Sequence, residues 1–562
     1  MNGINNYRNV DIWGVNAPVG SGKSSTSNKM IEPKDKTLIA MPTREATDET
    51  TQNYSDFHGH NALKIYSRDK EFPDGVDKPS EHLVNAMKNG VNQIRTTHES
   101  LFRIGQVLEA SEYKLIVDES PAVSHFYNEN LSDLTKIDDL YVKTGEYQEY
   151  TEVDKDGKEL TDSKGNPVVS RSYKVTANPE ANDRIRRYLT EGNPINKHKN
   201  FYSQVSNTIY KMLQYLDDDN FECWIPDTFG TYNERTKKVD YNFRMLSILK
   251  PSFFNQFKSV EVLSAELDST EFYIIYEALG VNFTEEELKG LRYTELVNQD
   301  ITFHYQRDLV NYSKNQKNRK NKSGERFGDL LIQGIKDYVY SDSSIDNKLY
   351  FTGNSADRDT YKKVLGEDAL QTTTRVNSLN NLQDYNTIIY PVCMNLSPFE
   401  RAVYKRLGID ADRIERSRNI LNAYQYIRGG NRKEISEHVD VFVPSEFMAK
   451  ELQNLFGDSS VKECEFMTDK QLMSFVDVDK RKQNGGNRKG SGQKAKWIEE
   501  VPRGTKRDRV KKYIAAMGLT TIPSPENQKE ILDEVGHLNN KDFKELIERL
   551  KLSGNNGLNG DE

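Results

Sequence analysis

The sequence predicts an α/β protein with two parallel-sheet domains in tandem, an α+β insertion in the first, and a mostly helical C-terminal region. Three observations predict it. The first 120 residues hold five short apolar runs, each ending in small or polar residues and separated by stretches long enough for crossover helices. A second series of the same kind begins near residue 300. The turn after the first run reads Ala17-Pro18-Val19-Gly20-Ser21-Gly22-Lys23-Ser24, a glycine-rich loop of the kind that wraps phosphate.

Each element has its reason. "DIWGVNAP", "KTLIAMPT", "ALKIYSRD", "NQIRTTHES" and "YKLIVDES" read as the strands of the first sheet, with a ligand site at their carboxyl ends. Between about 122 and 255 the pattern changes. "GEYQEYTEVDKDGKELTDSKGNPVVSRSYKV" sets D-G and G-N turns between Tyr-, Thr- and Val-rich strands, which predicts hairpins, and "YSQVSNTIYKMLQYL" is apolar at helical spacing. "SVEVLSAELD" (259–268) then resumes the first sheet, giving a first domain over 1–275. The second domain, 300–445, takes in "ITFHYQRD", "LIQGIKDYVY", "KLYFTGNSAD", "YNTIIYPVCM" and "VDVFVPSE", with a polar basic loop at "NYSKNQKNRKNKSGER". Residues 446–562 are expected to be an accessory region, helical first and closing on the charged helix "NKDFKELIERLKL" and a frayed tail.

The totals narrow the function. Mean hydropathy is −0.79 and 29 % of residues are charged, yet 10 % are aromatic, too many for a chain disordered throughout. No run approaches the roughly 18 apolar residues of a membrane span, and the N-terminus lacks a signal-peptide core, so the expected place is the cytoplasm. Cys223, Cys393 and Cys464 stand far apart without a CxxC, which supports neither zinc nor a disulfide framework. Net charge is −8, but residues 480–512 hold thirteen Lys or Arg against three acids. That local net of +10 leaves −18 for the rest, and marks the segment as a polyanion contact, with a solvated linker as the plainer alternative.

The chemistry sits at the loop. Gly20 and Gly22 let backbone N–H groups turn toward phosphate oxygens, and the following helix N-terminus favours negative charge. Gly20, Ser21, Gly22, Lys23, Ser24 and Ser25 are therefore the expected nucleotide-binding residues. Lys23 is suited to the β- and γ-phosphates and the Ser24 hydroxyl to Mg²⁺. "YKLIVDES" carries Asp118 and Glu119 to a strand end, the first for the metal shell and the second to polarise an attacking water.

"VDES" after "GSGKS" resembles motifs II and I of the superfamily-2 helicases and translocases, the DEAD/DEAH-like group. Further motifs follow in order. "MPTREATDE" (41–49) resembles motif Ia, and "IRTTHESL" (94–101) the phosphate-contacting motif after it. "LSAEL" (263–267) is similar to motif III with Glu266 in the Thr place, and "LYFTGNSAD" (349–357) to motif IV. "TRVNSLNNLQDYNTIIY" (374–390) resembles motif V, and "YQYIRGGNRK" (424–433) motif VI, with Gly429 where the family has its first Arg.

The resemblance covers about half the chain. It implies two RecA-like domains, ATP and Mg²⁺ between them, and a nucleic-acid strand across the top. Gln425 and an arginine finger, either Arg428 or Arg432, would reach the nucleotide from the second domain. Thr43, Arg44, Thr97 and His98 in the first domain, with Thr352 and Asn380 in the second, would grip the strand, a core position being the alternative for His98. The implied function is an ATP-dependent helicase of the phage or viral replication type, similar to the herpes origin-binding helicases. Its implied partner is DNA, single-stranded or forked, with RNA open and replication proteins as companions. The competing reading is a P-loop motor for packaging, or an NTP-driven switch that does not move on nucleic acid.

Overall fold

The computed structural model describes residues 7–67, 78–130, 140–152, 159–161, 165–191, 207–226, 230–233, 238–292, 300–374, 382, 384–430, 438–457, 459–475, 505–517 and 525–555. They fall into two units, 1–475 and 476–562.

The first five apolar runs are strands: β1 (Asp11–Asn16), β2 (Thr37–Met41), β3 (Leu63–Ile65), β4 (Gln93–Thr97) and β5 (Lys114–Asp118). Between β5 and the return to this sheet come β6 (Ser124–Asn130), β7 (Tyr141–Thr151), β8 (Val169–Ala177), β9 (Phe221–Pro226), β10 (Gly230–Asn233) and β11 (Lys238–Leu249). The chain then adds β12 (Ser259–Ser264) and β13 (Asn282–Glu285), so the first sheet runs past residue 275. Among the described residues it is seven-stranded and parallel, in the order β13-β1-β12-β5-β2-β4-β3. A parallel sheet is covered on both faces, which is why "TLIAM" is buried at every position.

The insertion builds its own antiparallel sheet, β10-β11-β9-β8-β7, with β6 paired to β11. The expected hairpin is β7–β8, and its register shifts between Lys143 and Tyr147, where Gly145 has φ 91°. Of the expected helix, Asn207–Leu216 is present, and it buries Met212 and Leu213 in the same core as Val175, Cys223 and Ile225.

The second sheet comprises β14 (Ile301–Gln306), β15 (Leu349–Phe351), β16 (Leu370–Gln371), β17 (Thr387–Ile389), β18 (Val439–Phe442) and β19 (Ser460–Cys464). All are parallel, in the order β16-β15-β17-β18-β14-β19. Two expectations are corrected here. The second domain does not stop at 445: helix Glu446–Phe456 lies against the sheet and β19 pairs with β14. The basic loop also has structure, because helix Lys314–Asn318 carries Lys317 into a buried pair with Asp357 at 2.5 Å, which Arg326 joins at 2.7 Å.

The largest core joins the first sheet, the insertion, and a piece of the second series. Leu396, Phe399, Val403, Tyr404, Ile409 and Ile414 are buried in it, although helices Pro398–Arg406 and Ala411–Arg416 follow β17 in sequence. At its border the Arg418 guanidinium donates to Glu271 at 2.7 Å and to Glu400 at 2.7 Å, and Ser124 and Tyr404 complete the cluster.

The C-terminal unit packs helices Thr505–Ala516, Pro525–Val535 and Asn540–Asn555 around Val510, Tyr513, Ile514, Val535 and Phe543. Residues 505–512 of the basic segment therefore belong to a folded helix, while 480–504, including Lys494, Lys496 and Trp497, lie outside the described residues. Among the described residues no helix is long and apolar enough to cross a membrane.

Candidate nucleotide site

The loop 17–24 leaves the end of β1 and enters helix Lys23–Met30. Ala17 N–H donates to Ser264 of the neighbouring β12 at 3.1 Å, and Ser21 N–H donates back to Pro18 at 3.2 Å, which closes the turn. Gly20 (φ 84°) and Gly22 (φ 86°) are both left-handed, a conformation in which a side chain would clash with the backbone. Lys23 is buried, and its Nζ donates to the carbonyls of Ala17 (2.8 Å) and Pro18 (3.1 Å), so the ammonium crosses the mouth of its own loop. Ser25 follows on the same helix.

The acids come from β5, which β12 alone separates from β1. Parallel pairing of Leu263 with Asp118 sets the carboxylate level with the loop. There the Ser24 hydroxyl donates to Asp118 Oδ2 at 2.6 Å. Burial, then the neighbouring Glu119, push the Asp118 carboxyl up to about 7, against the pull of Ser24 and Lys23. Glu119 follows at φ 64°, its N–H bonded to Leu263 at 2.7 Å. Glu266, at the end of β12, is also left-handed, with φ 49°. Burial, then Asp268, raise its carboxyl above the ordinary range.

Two buried oxygens here, Ser21 Oγ and Asp118 Oδ1, have no hydrogen-bond partner. Buried polar groups nearly always find one. A phosphate chain with a divalent cation matches this donor set. Gly20–Ser25 would hold the phosphates, and Ser24 with Asp118 the Mg²⁺.

The second lobe meets this region through a shared core, in which Val19 of the loop and Ala265, just after β12, are grouped with Tyr424, Tyr426 and Ile427. Those three lie on helix Asn422–Gly430, which also carries Gln425 and Arg428. Arg428 is 2 % exposed, and its Nε and Nη1 have no partner. Arg432 and Asn380 lie outside the described residues.

The expected strand-gripping residues divide. Thr43 caps helix Arg44–His58, accepting from Ala46 N–H at 3.1 Å, and Arg44 begins that helix. Thr97 caps the turn His98–Leu101. His98 places Nε2 3.1 Å from the carbonyl oxygen of Asp118, which ties this turn to the acid strand. Thr352 is fully buried, and its hydroxyl donates to Thr372 at 3.1 Å. One residue escaped the sequence reading. Arg292, in the segment after β13, lies beside Gly22, and no motif spacing points to it.

A left-handed glycine loop after the first strand, with an acid pair one strand removed, gives the first lobe the geometry of a phosphate-loop site. The second parallel sheet makes the chain a tandem RecA-like α/β protein. No protein-family model matches the chain, and no curated protein matches it in sequence. Among solved structures it is similar to one described as "XPD_Helicase", at 12 % identity and a TM-score of 0.45 over 82 % of this chain and 97 % of that one. S. tokodaii Xpd4 is 10 % identical with a TM-score of 0.42, over 81 % of this chain and 96 % of that one. S. cerevisiae Dbp5 bound to RNA and ADP BeF3 is 9 % identical with a TM-score of 0.32, over 83 % and 87 % respectively.

Proposed function

We propose that the chain is an ATP-driven nucleic-acid motor, a helicase or translocase, that acts on DNA in replication or recombination, as phage and viral replication helicases do. The observation that carries the reading is the 2.6 Å pairing of Ser24 with Asp118 at the mouth of a left-handed glycine loop, with Glu119 next to it.

Bound ATP–Mg²⁺ would supply the scissile phosphoanhydride and a Lewis acid. The chain's own groups then have separable tasks. Lys23 exchanges the Ala17 and Pro18 carbonyls for phosphate oxygens. Ser24 and Asp118 would hold the cation, and Glu119 would take the proton of the attacking water. The Arg428 or Arg432 guanidinium, with Gln425, balances charge on the transferring group from the second lobe. Turnover thereby depends on how the lobes stand, which is what a motor requires. Thr43, Arg44, Thr97, His98 and Asn380 are the proposed backbone contacts, and backbone contacts carry no sequence information.

The test is ATPase activity with no nucleic acid, single-stranded DNA, duplex DNA, forked DNA and RNA, side by side. Stimulation by a DNA form supports the motor. Turnover indifferent to every polynucleotide would overturn it in favour of a switch or a packaging-type ATPase.

A further inference from the structure

The segment that leaves β13 runs back across the phosphate loop. Glu286 N–H donates to Gly14 on β1 at 2.9 Å, and Leu288 packs against the core under the loop. Gly290, left-handed at φ 86°, accepts from the Thr26 hydroxyl at 3.2 Å. Arg292 N–H then donates to Ser21 at 2.9 Å. Four attachments in seven residues fix this strap on the loop and on the first turn of its helix.

The last of them decides where the Arg292 side chain goes. A Cβ added at Gly22 would stand 3.6 Å from Arg292 Cγ and 3.7 Å from its Nε. The guanidinium stem thus lies along Gly22, one of the two left-handed glycines of the loop. Arg292 is exposed, and among the described residues its guanidinium has no carboxylate partner. Next to it is Ser21, whose buried hydroxyl also lacks a partner. An unpaired planar cation beside a phosphate-shaped loop is suited to bidentate pairing with a phosphate oxygen pair.

We propose that Arg292 is a nucleotide-binding residue that pairs with the phosphate chain of the nucleoside triphosphate held by residues 20–25. This rests on the nucleotide-site reading given above. It assigns the connection between the lobes, of which Arg292 is a part, a direct contact with the ligand.

The experiment measures binding to full-length protein by calorimetry for wild type, Arg292→Ala, Arg292→Lys and Lys23→Ala, with ATP, ADP and inorganic tripolyphosphate as titrants. A charge-assisted contact is worth roughly ten- to hundredfold in Kd. Arg292→Ala should weaken all three titrants by that factor, and Arg292→Lys should recover part of it. The unfolding temperature of the free protein should not move, because the side chain is exposed. Unchanged Kd values in Arg292→Ala would overturn the proposal. So would weakening of ATP and ADP with tripolyphosphate untouched, which would place the contact on the base or ribose. If wild type and Lys23→Ala bind ATP equally, the site reading itself fails and this proposal falls with it. If only Lys23→Ala loses binding, the site stands and Arg292 is excluded.

Discussion

Glu119 stores backbone strain next to the Ser24–Asp118 pair. At φ 64° an L side chain meets its own carbonyl, a cost of about 1–2 kcal/mol, and a β-branched residue tolerates it least. Because Glu119 already bears that cost, Glu119→Val should lower unfolding stability further, by roughly 1 kcal/mol in chemical denaturation, whereas Glu119→Asn, which tolerates the left-handed region better, should lose no stability on backbone grounds. Glu119→Gln should keep ATP bound and stop its hydrolysis, and Lys23→Ala should weaken binding itself. Rapid-quench turnover beside a binding isotherm separates the two, and near-normal turnover in Glu119→Gln would remove the acid from its role. Removing a finger arginine costs about three to five orders of magnitude in turnover. Arg428→Ala or Arg432→Ala should do this while sparing ATP affinity, and two normal variants would break the two-lobe site. That Ser24 and Asp118 would meet was legible, because a glycine loop and an acid-tipped apolar run in one parallel sheet end on the same edge. Thr352 and Arg292 were not legible. Burial of the first and the approach of the second depend on which distant backbone lies over them.

At the level of elements, the junction around Arg418 ties helices of the second series to the first lobe. Its guanidinium balances Glu271 and Glu400, and Glu400 is 3 % exposed on its side chain. Leaving a buried carboxylate uncompensated costs roughly 3–5 kcal/mol, less here because Arg418 and Glu271 keep some solvent. Arg418→Ala should destabilise the chain by about 2–4 kcal/mol, and a loss below about 1 kcal/mol would show the cluster to be solvated in solution. A second element-level prediction concerns the entry to β18. Burial works against protonation of His438, but Asp300 at 3.0 Å and Asp440 at 3.3 Å outweigh it and hold its pKa above the ordinary value. The buried His304 shares Asp440 from the far side at 2.6 Å. A raised histidine stabilises fully below about pH 6.5 and loses that contribution as pH climbs through its folded pKa. The stability difference between wild type and His438→Asn should therefore shrink as pH rises from 6 to 8. A constant difference would remove the charge from the explanation. Sequence could not supply β19, since "SVKEC" is an exposed edge strand without an apolar run, and it offers periodicity nothing to detect.

For the molecule as a whole, the two-sheet plan was legible because parallel strands buried on both faces leave continuous apolar runs. The start of the C-terminal unit was not, since the helix Thr505–Ala516 begins inside a run of basic residues and buries only a few side chains. Cutting the chain before Lys480 should leave basal ATPase nearly intact, because every proposed ATP-site residue lies upstream. The same cut should weaken polynucleotide binding and flatten its log–log salt dependence by several units, at about 0.7–0.9 per lost phosphate contact. Equal slopes would make the basic segment a tether. The burial of Phe399, Val403, Tyr404, Ile409 and Ile414 in the core of the first lobe has a practical consequence for dissection. A fragment ending near residue 300 would be left with a bare apolar face where these side chains sit, and such faces drive aggregation. Expressed alone, the first lobe should be insoluble. Supplied in trans with a peptide spanning 396–416, it should become soluble and bind that peptide.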